Sequence, residues 1–263
     1  VNLLELAVSA ATAAGERILE IYGTSFCVEI KEDKSPLTLA DKESHRIISE
    51  MLAPAGYPIL SEEGRSIPYE ERKSWKHFWL VDPLDGTKEF VKRNGEFTVN
   101  IALIDKDRPV LGVIFAPVLN LMYFGSDAGG AFRKQNFSGD VGDVPERMKD
   151  AERIYAWHGS RVYTVVASRS HFSMETEEYV TQLKKYHPDL QFASRGSSLK
   201  LCLIAEGSAD IYPRLGPTYE WDTGAGQALV QAAGGTVLVC NETYPLKYNK
   251  PEILNPWFIA SVK

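Results

Sequence analysis

Cysteine is scarce in this 263-residue chain: Cys27, Cys202 and Cys240 stand far apart and are odd in number. No C-x-x-C or Cys/His spacing occurs, which speaks against zinc and a disulfide framework and for intracellular thiols. His45, His77, His158, His171 and His187 show no ligand spacing either. Long apolar runs are also missing. None approaches the ~20 residues that cross a bilayer, and no basic-then-apolar leader opens the sequence. A cytoplasmic setting is expected, with peripheral attachment to the inner face of a membrane left open. A net charge of -6 argues against a bulk nucleic-acid partner, which needs a basic footprint. A small anionic ligand is still compatible, because a cation held by acidic side chains reverses the charge locally.

Several signatures are absent as well. No G-x-S-x-G or Walker pattern occurs, so serine-hydrolase and P-loop chemistry lack their marks. Gly224-Ala225-Gly226 lacks the third glycine of a dinucleotide fingerprint and follows Trp221-Asp222-Thr223 instead of an apolar strand.

What is present is the balance of a globular protein, 44% apolar and 24% charged. Leu3, Leu6, Ala10, Ala14, Ile18 and Ile21 recur at helical spacing, with Asn2 as cap and Gly23 as stop. T-L-A-D at 38–41 resembles a capping box opening a second helix. Short apolar runs at 57–60, 78–81, 97–104, 110–117 and 121–124 then predict strands, the later ones an antiparallel meander. Residues 136–161 are polar and read as an insertion or long loop. Beyond them the chain alternates: strand 162–168, helix 174–186, strand 190–194, helix 198–206, strand 209–213, helix 222–233, strand 236–240 and a last strand near 257–261. Layered α and β elements in two halves follow, 1–150 and 151–263.

Acidic residues sit where those runs end. W-L-V-D-P-L-D-G-T at 79–87 closes an apolar run with Asp82 and Asp85 around Pro83. A surface proline turn is one explanation. A strand end whose carboxylates face an anion site at a following helix is the other, and that arrangement calls for Mg²⁺ between the like charges. Glu62 in S-E-E-G at 61–64 is a solvated turn or a neighbouring strand end, and Asp222 is a helix N-cap or a further ligand.

Taken together, S-E-E-G, W-L-V-D-P-L-D-G-T, W-D-T-G-A-G at 221–226 and A-A-G-G at 232–235 resemble the inositol-monophosphatase superfamily of magnesium-dependent, lithium-sensitive phosphatases. The order of the motifs matches over nearly the whole chain. D-G-T-K-E-F at 85–90, K-R-N-G-E-F-T-V-N at 92–100, S-R-S-H at 168–171, G-S-S-L-K at 196–200 and Y-P-R-L-G-P-T at 212–218 are most similar to its 3'(2'),5'-bisphosphate nucleotidases. Gly224 departs from the alanine common there.

The resemblance implies an α/β (α+β) fold, a layered α/β/α/β/α sandwich. It implies that Glu62, Asp82, Asp85, Asp222 and the carbonyl of Leu84 hold two or three Mg²⁺. Thr87, paired with Asp41, would activate the attacking water together with Glu62. Asp85, Gly86, Thr87, Lys88 and Asp222 would meet the scissile phosphate. Ser170, His171, Gly196, Ser198 and Lys200 would take the rest of a nucleotide, with Arg214 and Glu220 lining the pocket. The implied substrate is adenosine 3',5'-bisphosphate or its sulfated form, a by-product of sulfate assimilation. Inositol monophosphate or a sugar bisphosphate is the rival substrate, and a non-catalytic binding protein the rival class. A monomer or homodimer is compatible with both.

Overall fold

Two local caps start the chain's helical layer. In the computed structural model, which describes residues 2–25, 28–30, 36–137, 144–157, 159, 161–167 and 173–263, Asn2 opens helix α1 (Leu3–Tyr22). Its Oδ1 accepts from the amides of Leu4 (3.1 Å) and Glu5 (3.4 Å), and its Nδ2 donates to Glu5 Oε1 (2.7 Å). A hairpin of β1 (Val28–Ile30) and β2 (Pro36–Thr38) leads into α2 (Leu39–Leu52), where the Thr38/Asp41 capping box forms as the sequence predicts.

The first large sheet follows. Its elements are β3 (Ile59–Ser61), α3 (Tyr69–Arg72), β4 (His77–Asp85), α4 (Thr87–Val91), β5 (Thr98–Asp105), β6 (Arg108–Ala116), β7 (Leu121–Ser126), β8 (Gly130–Gln135), α5 (Val144–Met148) and β9 (Glu152–Ile154). The seven strands lie in chain order, β3 and β4 parallel and every later pair antiparallel. The meander is therefore the predicted one, continued by two strands that were not. Arg133, Lys134 and Gln135 hide the period of β8, and β9 is too short to show one. The stretch read as a loop from 136 thus carries α5 and β9.

A second sheet follows from β10 (Thr164–Val166), α6 (Met174–Lys184), β11 (Gln191–Ala193), α7 (Leu199–Ala205), β12 (Ile211–Arg214), α8 (Glu220–Ala232), β13 (Thr236–Val239) and β14 (Phe258–Ser261). Its strand order is β11-β10-β12-β14-β13. Every predicted element of this half is present, with ends shifted by a few residues.

Burial on both faces explains the continuous apolar runs. Trp79 and Val81 of β4 pack under α1 and α2, whereas Phe78 and Leu80 pack toward α7 and α8. Val166, Tyr212 and Phe258 of the second sheet close over α7 and α8 from the other side, and α6 covers its far face at Val165, Val180 and Ile211. The result is an α/β/α/β/α sandwich with α7 and α8 at its centre. No helix among the described residues is long and apolar enough to cross a membrane.

Glycines make that central layer thin. A Cβ on Gly112 of β6 would lie 2.4 Å from the Ala225 carbonyl oxygen, and one on Gly226 would lie 2.3 Å from Leu201 Cδ1. The Gly-Ala-Gly of α8 therefore serves close helix packing, which accounts for a glycine pair outside any dinucleotide motif. Gly112→Ala pushes a methyl against backbone, so a loss of about 1–3 kcal/mol is expected in urea unfolding. An unchanged midpoint would mean that α8 retreats freely.

Candidate active site

Parallel pairing of β3 and β4 sets two acidic strand ends side by side. Ser61 pairs with Val81, and the Glu62 amide donates to the Val81 carbonyl (3.1 Å), so Glu62 and Asp82 leave the sheet at the same edge. Pro83 then denies the ladder a donor, and the register against β5 shifts between Asp82 and Asp85. The groups freed by this bulge find other partners. The Leu84 amide donates to Asp82 Oδ1 (3.1 Å), and Ser44 Oγ of α2 donates to the Pro83 carbonyl (2.7 Å). Gly86, at φ 91°, turns the chain into α4, a conformation that any Cβ would strain.

Asp222 completes the cluster from the other half of the chain. One oxygen from each of Glu62, Asp82 and Asp222 lies within 4.8 Å of the other two. Asp222 is not the N-cap. It stands three residues inside α8 and accepts from the Tyr219 amide (2.8 Å), so capping and clustering use the same carboxylate. Burial, then the charges of Glu62, Asp85 and Asp222, pushes Asp82 well above the usual carboxylate range. Burial, then the charge of Asp85, pushes Asp222 up to about 8, although that side chain keeps some access to the cavity. Crowded hard oxygen donors of this kind fit a divalent cation such as Mg²⁺.

Asp85 is turned to a different set of partners. Its Oδ2 accepts from Ser197 Oγ (2.6 Å) and Ser198 Oγ (2.7 Å), with Asn100 Nδ2 at 3.5 Å. Asn100 also donates to Ser198 Oγ (2.7 Å), and Thr98 Oγ1 lies 2.5 Å from Ser197 Oγ. Thr98 and Asn100 lie opposite Asp85 and Asp82 in the sheet. Neither they nor Ser197 were expected from the sequence; the alternating T-V-N of β5 was the available signal.

Asp41 and Thr87, 46 residues apart, do meet. Thr87 Oγ1 donates to Asp41 Oδ1 (3.1 Å) and lies 3.4 Å from the Leu84 carbonyl. Asp41 Oδ2 accepts from the amide (2.7 Å) and hydroxyl (2.6 Å) of Thr38. Burial raises the Asp41 carboxyl, and the Thr38 bonds oppose that rise.

A cavity of about 590 Å³ opens beside these groups. Asp85, Gly86, Lys88, Gly196, Ser198, Lys200, Arg214 and Asp222 are among the residues that line it. Lys200 is not a solvated surface lysine. Its Nζ donates to the Ser197 carbonyl (2.7 Å), and burial lowers its pKa while the charge of Asp85 raises it. Glu220 does not line the cavity: it is fully buried and held by Lys250 Nζ (2.6 Å) and the Asn249 amide (2.8 Å). Ser170 and His171 lie outside the described residues.

The family model "Inositol monophosphatase family" matches residues 1–258. A 3'(2'),5'-bisphosphate nucleotidase CysQ of Shigella flexneri is 43% identical over 266 residues, 99% of this chain and 100% of that protein. One from Salmonella typhimurium is 46% identical over 239 residues, 89% of each chain. The crystal structure of CysQ from Bacteroides thetaiotaomicron superposes with a TM-score of 0.88 at 46% identity, covering 98% of this chain and 96% of that one.

The raised carboxyls carry a stability consequence. Below about pH 4, the ordinary Asp value, folded and unfolded states are both protonated and no cost arises. As pH climbs from there toward about 8, the unfolded state ionises this Asp while the folded state keeps its proton because of burial and like charge, so metal-free protein loses stability. Thermal unfolding in chelator should show Tm falling over that window, with Mg²⁺ raising Tm more at pH 8 than at pH 5. A Mg²⁺ effect equal at both pH values would contradict this coupling.

Proposed function

The chain belongs to the inositol monophosphatase family, and we propose that it is a Mg²⁺-dependent 3'(2'),5'-bisphosphate nucleotidase. It would hydrolyse the 3'-phosphate of adenosine 3',5'-bisphosphate to give AMP and phosphate, and would accept 3'-phosphoadenylyl sulfate at the same group. The observation that carries this reading is the carboxylate cluster of Glu62, Asp82 and Asp222 beside the Asp41–Thr87 pair. Relatives named bisphosphate nucleotidases, matched over nearly their full length, support the substrate class.

Glu62, Asp82, Asp222, Asp85 and the Leu84 carbonyl would hold the metal, in two or three sites. When bound, Mg²⁺ supplies polarisation of the phosphate ester and charge neutralisation for the departing oxygen. The chain's own residues do the rest. Thr87 Oγ1 gives its proton to Asp41 Oδ1, which leaves its lone pairs to accept from an attacking water and aim it. Asp41, with its carboxyl raised by burial, draws the proton away. The amides of Gly86 and Thr87 at the start of α4 would face the scissile phosphate. Lys200 and Arg214, which also line the cavity, suit a second phosphate.

Phosphate release with Mg²⁺ should be measured on adenosine 3',5'-bisphosphate, inositol 1-phosphate and fructose 1,6-bisphosphate. The nucleotide should turn over fastest. Faster release from inositol phosphate would overturn the substrate, and no release from any of them would leave a binding protein. Lys200→Ala should raise KM for the bisphosphate by roughly tenfold, about 1.4 kcal/mol, and change KM for a simple monophosphate much less. Equal changes would assign Lys200 to holding the Ser197 carbonyl alone.

A further inference from the structure

Glu96 is an acidic residue of the cavity wall with a task outside the carboxylate cluster. Its side chain is only 14% exposed. Its Oε2 accepts from the Gly196 amide (2.9 Å), and its Oε1 lies 3.6 Å from Arg195 Nη1. Contact is close on the backbone side too, since a Cβ on Gly196 would fall 2.7 Å from the Glu96 carbonyl oxygen. The turn that Glu96 grips is strained. Ser197 has φ 55°, in the left-handed region that a serine occupies at a cost. Such a conformation persists only when the surroundings fix it, and three bonds do so here. Glu96 holds the amide before Ser197, Lys200 Nζ holds its carbonyl, and its hydroxyl donates to Asp85 Oδ2 (2.6 Å).

We propose that Glu96 is a positioning residue for the metal site: by clamping the Gly196 amide it holds Ser197 and Ser198 against Asp85, and so fixes how Asp85 is presented to the cation. The proposal rests on the reading of the carboxylate cluster as a Mg²⁺ site. Both serine hydroxyls and Asn100 converge on Oδ2, and Oδ1 receives no protein donor among the described residues. That asymmetry is what orients a ligating carboxylate, and outer partners of this kind typically change metal affinity by about 10- to 100-fold when removed.

The test is calorimetric titration of Mg²⁺ alone into metal-free protein, with Tm in chelator as the fold control. Glu96→Ala should weaken Mg²⁺ binding by about tenfold or more. Glu96→Gln keeps an acceptor for the Gly196 amide and should stay within about threefold of wild type, where RT sets each tenfold at ~1.4 kcal/mol. Ser197→Ala should weaken binding as Glu96→Ala does. The double variant should lose little more than either single one, because both act through Asp85. Wild-type affinity in Glu96→Ala, equal losses in the Ala and Gln variants, or additive losses in the double variant would each overturn the clamp. Should Glu96→Ala fail to fold, wild-type affinity in Ser197→Ala overturns it instead. Absence of Mg²⁺ binding by the wild type would strike the metal reading, and Mg²⁺ binding without nucleotide turnover would strike only the substrate.

Discussion

Repulsion among clustered, partly buried carboxylates is the constraint around which the rest of the molecule is arranged. Like charges this close raise one another's pKa, and the ionised cluster destabilises the fold by itself. Only a rigid scaffold holds them together, and here it is the sandwich interior. Parallel β3 and β4 fix Glu62 beside Asp82, and α8, drawn against the sheet through Gly112 and Gly224, brings Asp222 to the same point. The same constraint gives the site its preference, since a multivalent cation is what relieves it.

Proline and glycine convert a strand end into chemistry. Pro83 forces the bulge, the bulge frees the Pro83 and Leu84 carbonyls, and Ser44 and Thr87 respond to them from α2 and α4. Asp41 belongs to the N-terminal cap of α2 and to the Thr87 pair at once. The proposed catalytic geometry is thus built from ordinary capping and turn chemistry.

Much of this was legible in the sequence. Apolar periods predicted the meander and the later alternation, because those strands and helices bury whole faces. β8 and β9 were not legible, since charged residues interrupt one and the other spans three residues. W-L-V-D-P-L-D-G-T signalled a strand end carrying paired aspartates, but nothing local told whether Glu62 or Asp222 joined them; that needed the motif combination and then the parallel pairing. The network in which Ser197 and Asn100 reach Asp85, with Thr98 beside Ser197, was hidden for a plain reason. Those partners come from elements about 100 residues apart, and no single-chain period reports such a meeting. Glu220, equally acidic and two residues from Asp222, shows the opposite error: its helix turn points it to Lys250, away from the cavity.

A shared cation is what would let these carboxylates stand together. The most direct measurement is Mg²⁺ titration at pH 7 in two buffers of different ionisation enthalpy, for wild type and Asp82→Asn. Saturable binding with net proton release is expected, because burial and the charge of Asp85 push Asp222 up to about 8, and so is loss of that binding in the variant. Binding without proton release, or binding undiminished in Asp82→Asn, would contradict it.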